Sequence, residues 1–214
     1  MSPRALRLVL GSGSPRRLEL VGRLGLAVDV VAPGVDETPL PAESPALHVL
    51  RIARLKARTV AADFPDRPVL SADTVVTLGD AVYGKPRDRA DAARMLTELA
   101  GKTHSVLTAL VLCFRGGEAS HIEVSTVTMV PLRPDLIAWY VATGEGDDKA
   151  GAYAVQGRGA VLVERVDGNV ESVMGLPLAP IPFLCSEVGL DLVREGERLA
   201  LSPRGERPLQ APTA

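Results

Sequence analysis

Apolar stretches alternate along the chain with polar stretches rich in glycine and proline, and their spacing predicts strands and helices in succession. The run Leu8-Val9-Leu10 is short and continuous, which is typical of a strand covered on both faces. Further strands are predicted at 27–31, 69–78, 81–83, 106–114 and 122–130, with two more around Val161 and Val173. Apolar residues at helical spacing predict helices at 15–24, 45–62, 88–101, 134–144 and 180–192.

The end of the chain differs from the rest in composition. Beyond Arg194 the sequence is rich in arginine, glutamate and proline and shows no period, so we expect residues 194–214 to be disordered. The chain is long enough to bury a sizeable core, either as one domain or as two closely packed lobes.

The loop Ser12-Gly13-Ser14-Pro15-Arg16-Arg17 separates the first strand from the first helix. Ser14 is a good N-cap and Pro15 suits the first helical turn, so backbone N–H groups and two arginines face one spot. A dinucleotide-binding loop would need glycine in place of Arg16, and a Walker loop would need Gly-Lys-Ser/Thr. The loop therefore indicates either a phosphate site or an ordinary strand-to-helix turn with two solvated arginines, and its residues alone favour neither.

Asp73 lies in the middle of the most strand-like segment, 69–78. A carboxylate among apolar residues is costly unless it is paired, hydrogen-bonded or bound to a metal, so the position favours function over structure. A hairpin turn predicted at Gly79-Asp80 returns the chain toward Asp73 and brings Lys85 near it.

Lys56 lies on the helix 45–62 beside the apolar residues Val49, Ile52 and Val60. Its aliphatic stem is expected to pack against these residues and so to hold the ammonium in one direction. An ordinary surface lysine with a packed stem fits the pattern equally well. Glu37 follows Asp36 in a loop marked by proline and glycine, where solvated acids are the favoured interpretation.

Composition limits the class of function. The formal net charge of -2 argues against a general nucleic-acid or membrane binder, so any bound anion must be held by a local cluster. We see no signal-peptide core and no apolar segment long enough to cross a bilayer. Cys113 and Cys185 lie far apart in apolar sequence, which predicts buried free thiols in a reducing cytoplasm. The glycine-rich segment 144–157 is either a mobile loop or a binding loop in which Gln156 contacts the edge of a base.

At this point the motifs match a known family. The chain resembles the Maf family, septum-formation-associated nucleotide pyrophosphatases with an inosine-triphosphatase-like α/β fold, from about Leu6 to Leu190. The resemblance rests on these segments: Ser12-Gly13-Ser14-Pro15-Arg16-Arg17, Val35-Asp36-Glu37, Ala53-Arg54-Leu55-Lys56-Ala57, Ala72-Asp73-Thr74-Val75-Val76, Gly84-Lys85-Pro86, Lys149-Ala150-Gly151-Ala152-Tyr153, Gln156-Gly157 and Gly175-Leu176-Pro177.

The resemblance implies a mixed, elongated sheet flanked by helices, with two lobes around a central cleft, in one catalytic domain over residues 1–193. It implies hydrolysis of a nucleoside triphosphate to the monophosphate and pyrophosphate with a divalent cation, Mg²⁺ or Mn²⁺, by a cytoplasmic homodimer. Asp73 matches the proton acceptor of the family, and Arg16, Thr74 and Gln156 match positions linked to base choice. Their combination resembles the branch that acts on dTTP and UTP. Val170 and Ser172 depart from the aromatic residue and the asparagine that the family often carries.

These matches combine into a mechanistic hypothesis. Glu37 and Asp73 hold the metal, Asp73 activates a water for attack at the α-phosphorus, and the positive side chains neutralise the phosphates. The positive set is Arg16, Arg17, Lys56 and Lys85, and the loop residues Ser12 and Ser14 complete the substrate contacts. The alternative function is a nucleotide-binding regulator of cell division that hydrolyses little or nothing.

Overall fold

The computed structural model describes residues 5–205. Within this range the strands are β1 (Leu8–Leu10), β2 (Val28–Val30), β3 (Val69–Leu78), β4 (Ala81–Tyr83), β5 (Thr103–Phe114), β6 (Gly117–Met129), β7 (Val163–Asp167), β8 (Leu190–Glu195) and β9 (Arg198–Pro203). The α-helices are α1 (Pro15–Gly22), α2 (Pro45–Asp63), α3 (Arg89–Leu99), α4 (Pro134–Ala142), α5 (Val170–Val173) and α6 (Ile181–Glu187), and two 3-10 segments lie at Ala150–Ala152 and Gly157–Leu162.

A seven-stranded mixed sheet has β3 at its centre. The strand order is β2-β1-β3-β5-β6-β7, and β4 pairs with the end of β3. The strands β2, β1 and β3 run parallel, because helices connect them, whereas β3, β5, β6 and β7 are joined antiparallel. The mixed α/β class predicted from the sequence is confirmed.

The two faces of β3 contact different parts of the molecule. Val69 and Val75 pack with Val49 and Ala53 of α2 in one apolar cluster. Leu70 and Ala72 point to the opposite face, as the two-residue repeat of a strand requires, and belong to a second cluster that includes Leu20 and Val21 of α1. A third cluster joins the end of β3 to α3 and α4. The middle of β3 therefore lies where α1 and α2 approach from opposite faces.

Two local predictions were wrong. The segment around Val173 is the short helix α5 rather than a strand, because the Asn169 side chain caps it by accepting hydrogen bonds from Glu171 N and Ser172 N. The last predicted helix ends at Glu187 instead of continuing to 192, since Gly189 adopts a positive φ of 76° that ends the helix.

The segment 194–203, expected to be disordered, lies in the β8–β9 hairpin. Its apolar residues alternate along the strands, and Leu190 and Leu201 are buried in the cluster that contains α1. The charged residues between them conceal this alternation in the sequence, and burial of the apolar face stabilises the hairpin. Residues 206–214, the rest of that predicted tail, lie outside the described residues.

Both cysteines are buried and free, as predicted, and burial raises the pKa of each thiol to about 11. In the described part of the chain, 5–205, we find no helix with the length and apolar character needed to cross a membrane.

Candidate active site

A cavity of about 700 Å³ opens at the middle of β3. The strand, the loop before α1, the loop before α2, the turn after β4 and the segment 148–156 all contribute to its wall. The ten residues that the sequence predicted as catalytic or binding residues all line it: Ser12, Ser14, Arg16, Arg17, Glu37, Lys56, Asp73, Thr74, Lys85 and Gln156. The structure thus brings together side chains that lie up to 144 positions apart in the sequence, from Ser12 to Gln156.

Lys56 lies between two carboxylates. Its Nζ atom is 2.8 Å from Asp73 Oδ1 and 2.8 Å from Glu37 Oε1. Asp73 points to the face of β3 that α2 covers, so the buried Lys56 side chain reaches it from the helix. The alternative of a surface lysine is wrong, and the buried Asp73 has the partner that its apolar surroundings require.

The neighbouring acids Asp36 and Glu37 differ in what they contact. Asp36 accepts hydrogen bonds from the backbone N–H of Thr38 at 2.9 Å and from its hydroxyl at 2.6 Å, and these bonds lower the pKa of Asp36. Asp36 therefore stabilises the turn, whereas Glu37 reaches into the cavity and contacts Lys56. Asp36 fits the prediction of a solvated loop acid, whereas Glu37 is half exposed and is also paired with Lys56.

Arg17 is a partly buried cation whose hydrogen-bond acceptors are neutral. Its Nε donates to the Gly175 carbonyl at 2.8 Å, Nη1 to Ser12 Oγ at 3.2 Å and Nη2 to Thr74 Oγ1 at 3.2 Å. Burial lowers the pKa of Arg17, and the charge of Asp73 acts in the opposite direction. Within residues 5–205, no carboxylate lies within 4 Å of its guanidinium. The group is held in a fixed orientation with two further N–H bonds available to an anion.

The loop before α1 adds backbone donors to this wall. Ser14 occupies the N-cap position of α1, with Pro15 in the first turn, but its hydroxyl makes no capping hydrogen bond. The Ser14 N–H donates to Ser12 Oγ at 3.2 Å, which closes the loop on itself. Because the first-turn N–H groups of a helix lack intrahelical acceptors, this end of α1 presents positive potential to the cavity.

The segment 144–159 is tied down by the carboxylate of Glu145. This carboxylate accepts hydrogen bonds from Gly159 N at 2.8 Å, Arg158 N at 3.0 Å and the Tyr140 hydroxyl at 3.3 Å. A side chain at Gly157, whose φ is 64°, would collide with it. These contacts support the interpretation of a binding loop that presents Gln156 at the cavity.

The two cationic side chains at the rim differ in their surroundings. Arg16 Nη1 lies 3.5 Å from Asp148 Oδ1, which also contacts Lys149 Nζ at 2.6 Å. Lys85 is exposed in the turn after β4, and no carboxylate of the described chain lies within ion-pair distance of it. Lys85 therefore adds an uncompensated positive charge to the cavity wall.

His48 also lines the cavity and is missing from the set that the sequence predicted. Its Nδ1 lies 3.0 Å from Glu43 Oε2, and Arg51 holds the same carboxylate through two nitrogens at 2.6 and 2.8 Å. The guanidinium lowers the pKa of Glu43 to about 2. His48 precedes Lys56 by eight residues on α2, which is about 2.2 turns, so the two side chains lie about 80° apart around the helix axis, and this neighbouring position was the signal that could have identified His48. Asp148, Lys149 and Tyr153 line the cavity as well.

The carboxylates present fit a metal that comes with its substrate. In residues 5–205 no three His, Cys, Asp or Glu side chains converge on one point. Glu37 and Asp73 are close enough to contact a single ammonium, so the cavity contains two neighbouring carboxylates. Mg²⁺ commonly binds through one or two carboxylates together with water and substrate phosphates.

Comparison with known proteins identifies the family of the chain. A family model described as Maf-like protein matches residues 7–187, which is most of the chain. The chain belongs to the Maf family. It is 50% identical over 194 residues to a dTTP/UTP pyrophosphatase of Anaeromyxobacter dehalogenans (strain 2CP-C), covering 88% of this chain and 97% of the relative. It is 45% identical over 185 residues to the dTTP/UTP pyrophosphatase of Myxococcus xanthus (strain DK1622), covering 86% and 94%.

A third relative, the dTTP/UTP pyrophosphatase of Symbiobacterium thermophilum, is 43% identical over 190 residues, covering 89% of this chain and 98% of its own. The family assignment from sequence motifs is confirmed. The matched range 7–187 includes all ten predicted cavity residues and ends before the β8–β9 hairpin.

Proposed function

We propose that this chain hydrolyses dTTP and UTP to the nucleoside monophosphate and pyrophosphate. The relatives bear that activity in their names. The observation that carries the proposal is the separation of charge in one cavity. The Glu37–Lys56–Asp73 cluster lies on the α2 face of β3, and the partly buried Arg17, with neutral partners, lies on the α1 face. A triphosphate needs positive groups for its oxygens and a carboxylate that accepts a proton from water, and this cavity offers both.

In the proposed reaction Asp73 accepts a proton from a water molecule whose oxygen forms a bond to the α-phosphorus. The bond between the α-phosphorus and the bridging oxygen breaks, and pyrophosphate leaves with that oxygen. Arg17 and Lys85 neutralise charge on the phosphate oxygens, and Lys56 holds Asp73 in place. Positioning and charge neutralisation supply most of the rate enhancement in phosphoryl chemistry, so no nucleophilic serine or cysteine is needed.

Glu37 and Asp73 are the residues we assign to a divalent cation, Mg²⁺ or Mn²⁺. When bound, the cation supplies positive charge to the triphosphate oxygens. We assign base recognition to Arg16, Thr74 and Gln156, and phosphate contacts to Ser12 and Ser14 in the loop before α1. Their presence in the cavity wall supports these assignments.

The finer architecture belongs to the same proposal. Three separate apolar clusters support an inosine-triphosphatase-like arrangement with two lobes around the cavity. The assignment of a homodimer rests on the family resemblance. Two buried free thiols support a reducing, cytoplasmic setting.

The test is a panel of canonical and modified nucleoside triphosphates incubated with Mg²⁺ or Mn²⁺, with separate measurement of monophosphate, pyrophosphate, diphosphate and inorganic phosphate. We expect equal amounts of monophosphate and pyrophosphate, with dTTP and UTP among the best substrates. Inorganic phosphate with a diphosphate product would refute cleavage at the α-phosphorus. Saturable binding without pyrophosphate release would instead support the nucleotide-binding regulator.

A further inference from the structure

A chain of buried hydroxyl groups leads from the cavity into the sheet. Thr74 Oγ1 lies 2.9 Å from Thr108 Oγ1 on the neighbouring strand β5, and Thr108 Oγ1 lies 2.7 Å from the Ser172 carbonyl oxygen. Thr108 is fully buried. A carbonyl oxygen can only accept a hydrogen bond, so the single hydroxyl proton of Thr108 is donated to Ser172. The proton shared between the two threonines must therefore come from Thr74.

The Ser172 carbonyl is itself held in position. The Ser172 hydroxyl donates to the Asn169 carbonyl at 2.7 Å and lies 2.7 Å from the hydroxyl of Ser125 on β6. Ser125 also accepts from the backbone N–H of Asn169 at 2.9 Å. These bonds fix the turn that carries Ser172, so the direction of the hydrogen bonds at Thr108 is set by backbone geometry and cannot reverse.

Thr74 is left without a proton to offer the cavity. Its hydroxyl proton goes to Thr108, and one of its lone pairs accepts from Arg17 Nη2 at 3.2 Å. Thr74 is half-buried and lines the cavity. A Cβ atom at Gly175 would lie 3.4 Å from Thr74 Oγ1 and 3.3 Å from Arg17 Nε, so the glycine leaves both groups uncovered. Thr74 can face a ligand only as a hydrogen-bond acceptor.

An acceptor at this point is poorly suited to phosphate oxygens, which are acceptors themselves. It suits a ring N–H. Uracil and thymine carry a donor at N3, whereas cytosine carries an acceptor there, and two facing acceptors would leave a buried polar group unsatisfied.

We propose that Thr108 is a positioning residue for base selection: by taking the proton of Thr74, it makes Thr74 an acceptor that favours bases with a ring N–H over cytosine. The inference rests on the proposed function, because it assumes that a nucleotide base occupies the part of the cavity beside Thr74. Thr108 acts only through Thr74.

The test compares kcat/KM for UTP and CTP in the wild-type chain and in Thr108→Val, which has the same shape and no hydroxyl. Without Thr108 as an acceptor, the Thr74 hydroxyl can rotate and donate to cytosine N3. We expect the UTP:CTP ratio to fall by about tenfold or more, with kcat for UTP changed by less than about threefold. Thr108→Ser keeps the hydroxyl and should restore the wild-type ratio.

A matched control is available in the same sheet. Thr103 and Thr128 form an exposed hydroxyl pair at 2.9 Å between β5 and β6, outside the cavity. Thr103→Val should leave the UTP:CTP ratio unchanged. If Thr108→Val does not fold, Thr108→Cys, whose thiol is a weak donor and acceptor, should give an intermediate ratio. A wild-type ratio in a folded Thr108→Val or Thr108→Cys chain would overturn the inference.

Failure of the proposed function would show separately, as a wild-type chain that releases no pyrophosphate from UTP. In that case the inference is tested by calorimetric binding of α,β-imido analogues of UTP and CTP. A fall in the ratio of the two affinities in Thr108→Val supports the inference, and equal ratios in the two chains overturn it.

Discussion

Replacing Asp73 by Asn removes one of the two carboxylates that contact Lys56 and keeps the size and shape of the side chain. The amide oxygen can still accept a hydrogen bond from Lys56 Nζ, which lies 2.8 Å from the carboxylate in the wild-type chain. An amide cannot accept a proton from water near neutral pH. The variant therefore removes the proposed base while the cavity keeps its form.

The structure gives the expected size of both effects. Loss of a positioned general base lowers turnover by about 10²- to 10⁴-fold. Breaking a buried ion pair is most costly when it leaves a charge without a partner, but Lys56 keeps Glu37 at 2.8 Å. We therefore expect a loss of about 1.5–3 kcal/mol in the free energy of unfolding, the range of a single hydrogen bond to a charged group.

The assay follows pyrophosphate release from UTP at saturating substrate, with urea unfolding measured on the same preparation. Asp91→Asn is the matched control. Asp91 is also a buried carboxylate paired with arginines, Arg94 at 2.7 Å and Arg87 at 3.1 Å, but it lies on α3 and does not line the cavity. We expect Asp91→Asn to lose stability and keep kcat.

The two variants thus separate chemistry from stability. A folded Asp73→Asn chain with kcat within tenfold of wild type would refute the role of Asp73 as the base. Equal losses of kcat in Asp73→Asn and Asp91→Asn would show that the effect follows stability.

Two further predictions concern packing and pH. Gly11→Ala would place its Cβ atom 2.2 Å from Oγ of the buried Ser71. Urea unfolding should therefore show that the free energy of unfolding falls by about 1–3 kcal/mol, and adding Ser71→Ala should recover most of that loss. A Gly11→Ala variant as stable as the wild-type chain would contradict this packing. Burial lowers the pKa of His104 from 6.5 to about 4, so between these values only the unfolded chain binds the proton. The free energy of unfolding should fall by up to about 3 kcal/mol as the pH decreases from 6.5 to 4. His104→Gln should make the free energy of unfolding less dependent on pH over this range. The same pH dependence in the variant and the wild-type chain would refute the lowered pKa of His104.

The parts of the site that follow from one-dimensional patterns could be predicted. Strand period 2 places Asp73 on the same face of β3 as Val69 and Val75, and helix period 3.6 places Lys56 among the apolar residues of α2. Once α2 packs on β3, the lysine and the carboxylate both lie on the contact surface between the helix and the strand. The spacing of apolar residues predicts that surface, whereas the contact between the two side chains also depends on where the helix lies along the strand.

Other features depend on partners distant in the sequence, and no local pattern reveals them. The acceptor of Arg17 Nε is the carbonyl of Gly175, 158 residues away. The direction of the Thr74–Thr108 hydrogen bond depends on the Ser172 carbonyl, which lies in position only because Asn169 caps a four-residue helix. In the sequence Val170 and Val173 favour a strand, and the side-chain cap overrides that preference.

Adjacent residues of β3 divide the proposed chemistry between the two faces of the sheet. Asp73 points toward α2 and contacts Lys56, whereas Thr74 points toward α1 and contacts Arg17. A shift of one residue in the pairing of β3 would exchange these side chains and would also turn Val69 and Val75 away from α2. The apolar residues that fix the register of β3 therefore also fix which face receives the proton-accepting carboxylate and which receives the acceptor for the base. The core and the cavity are specified by the same alternation.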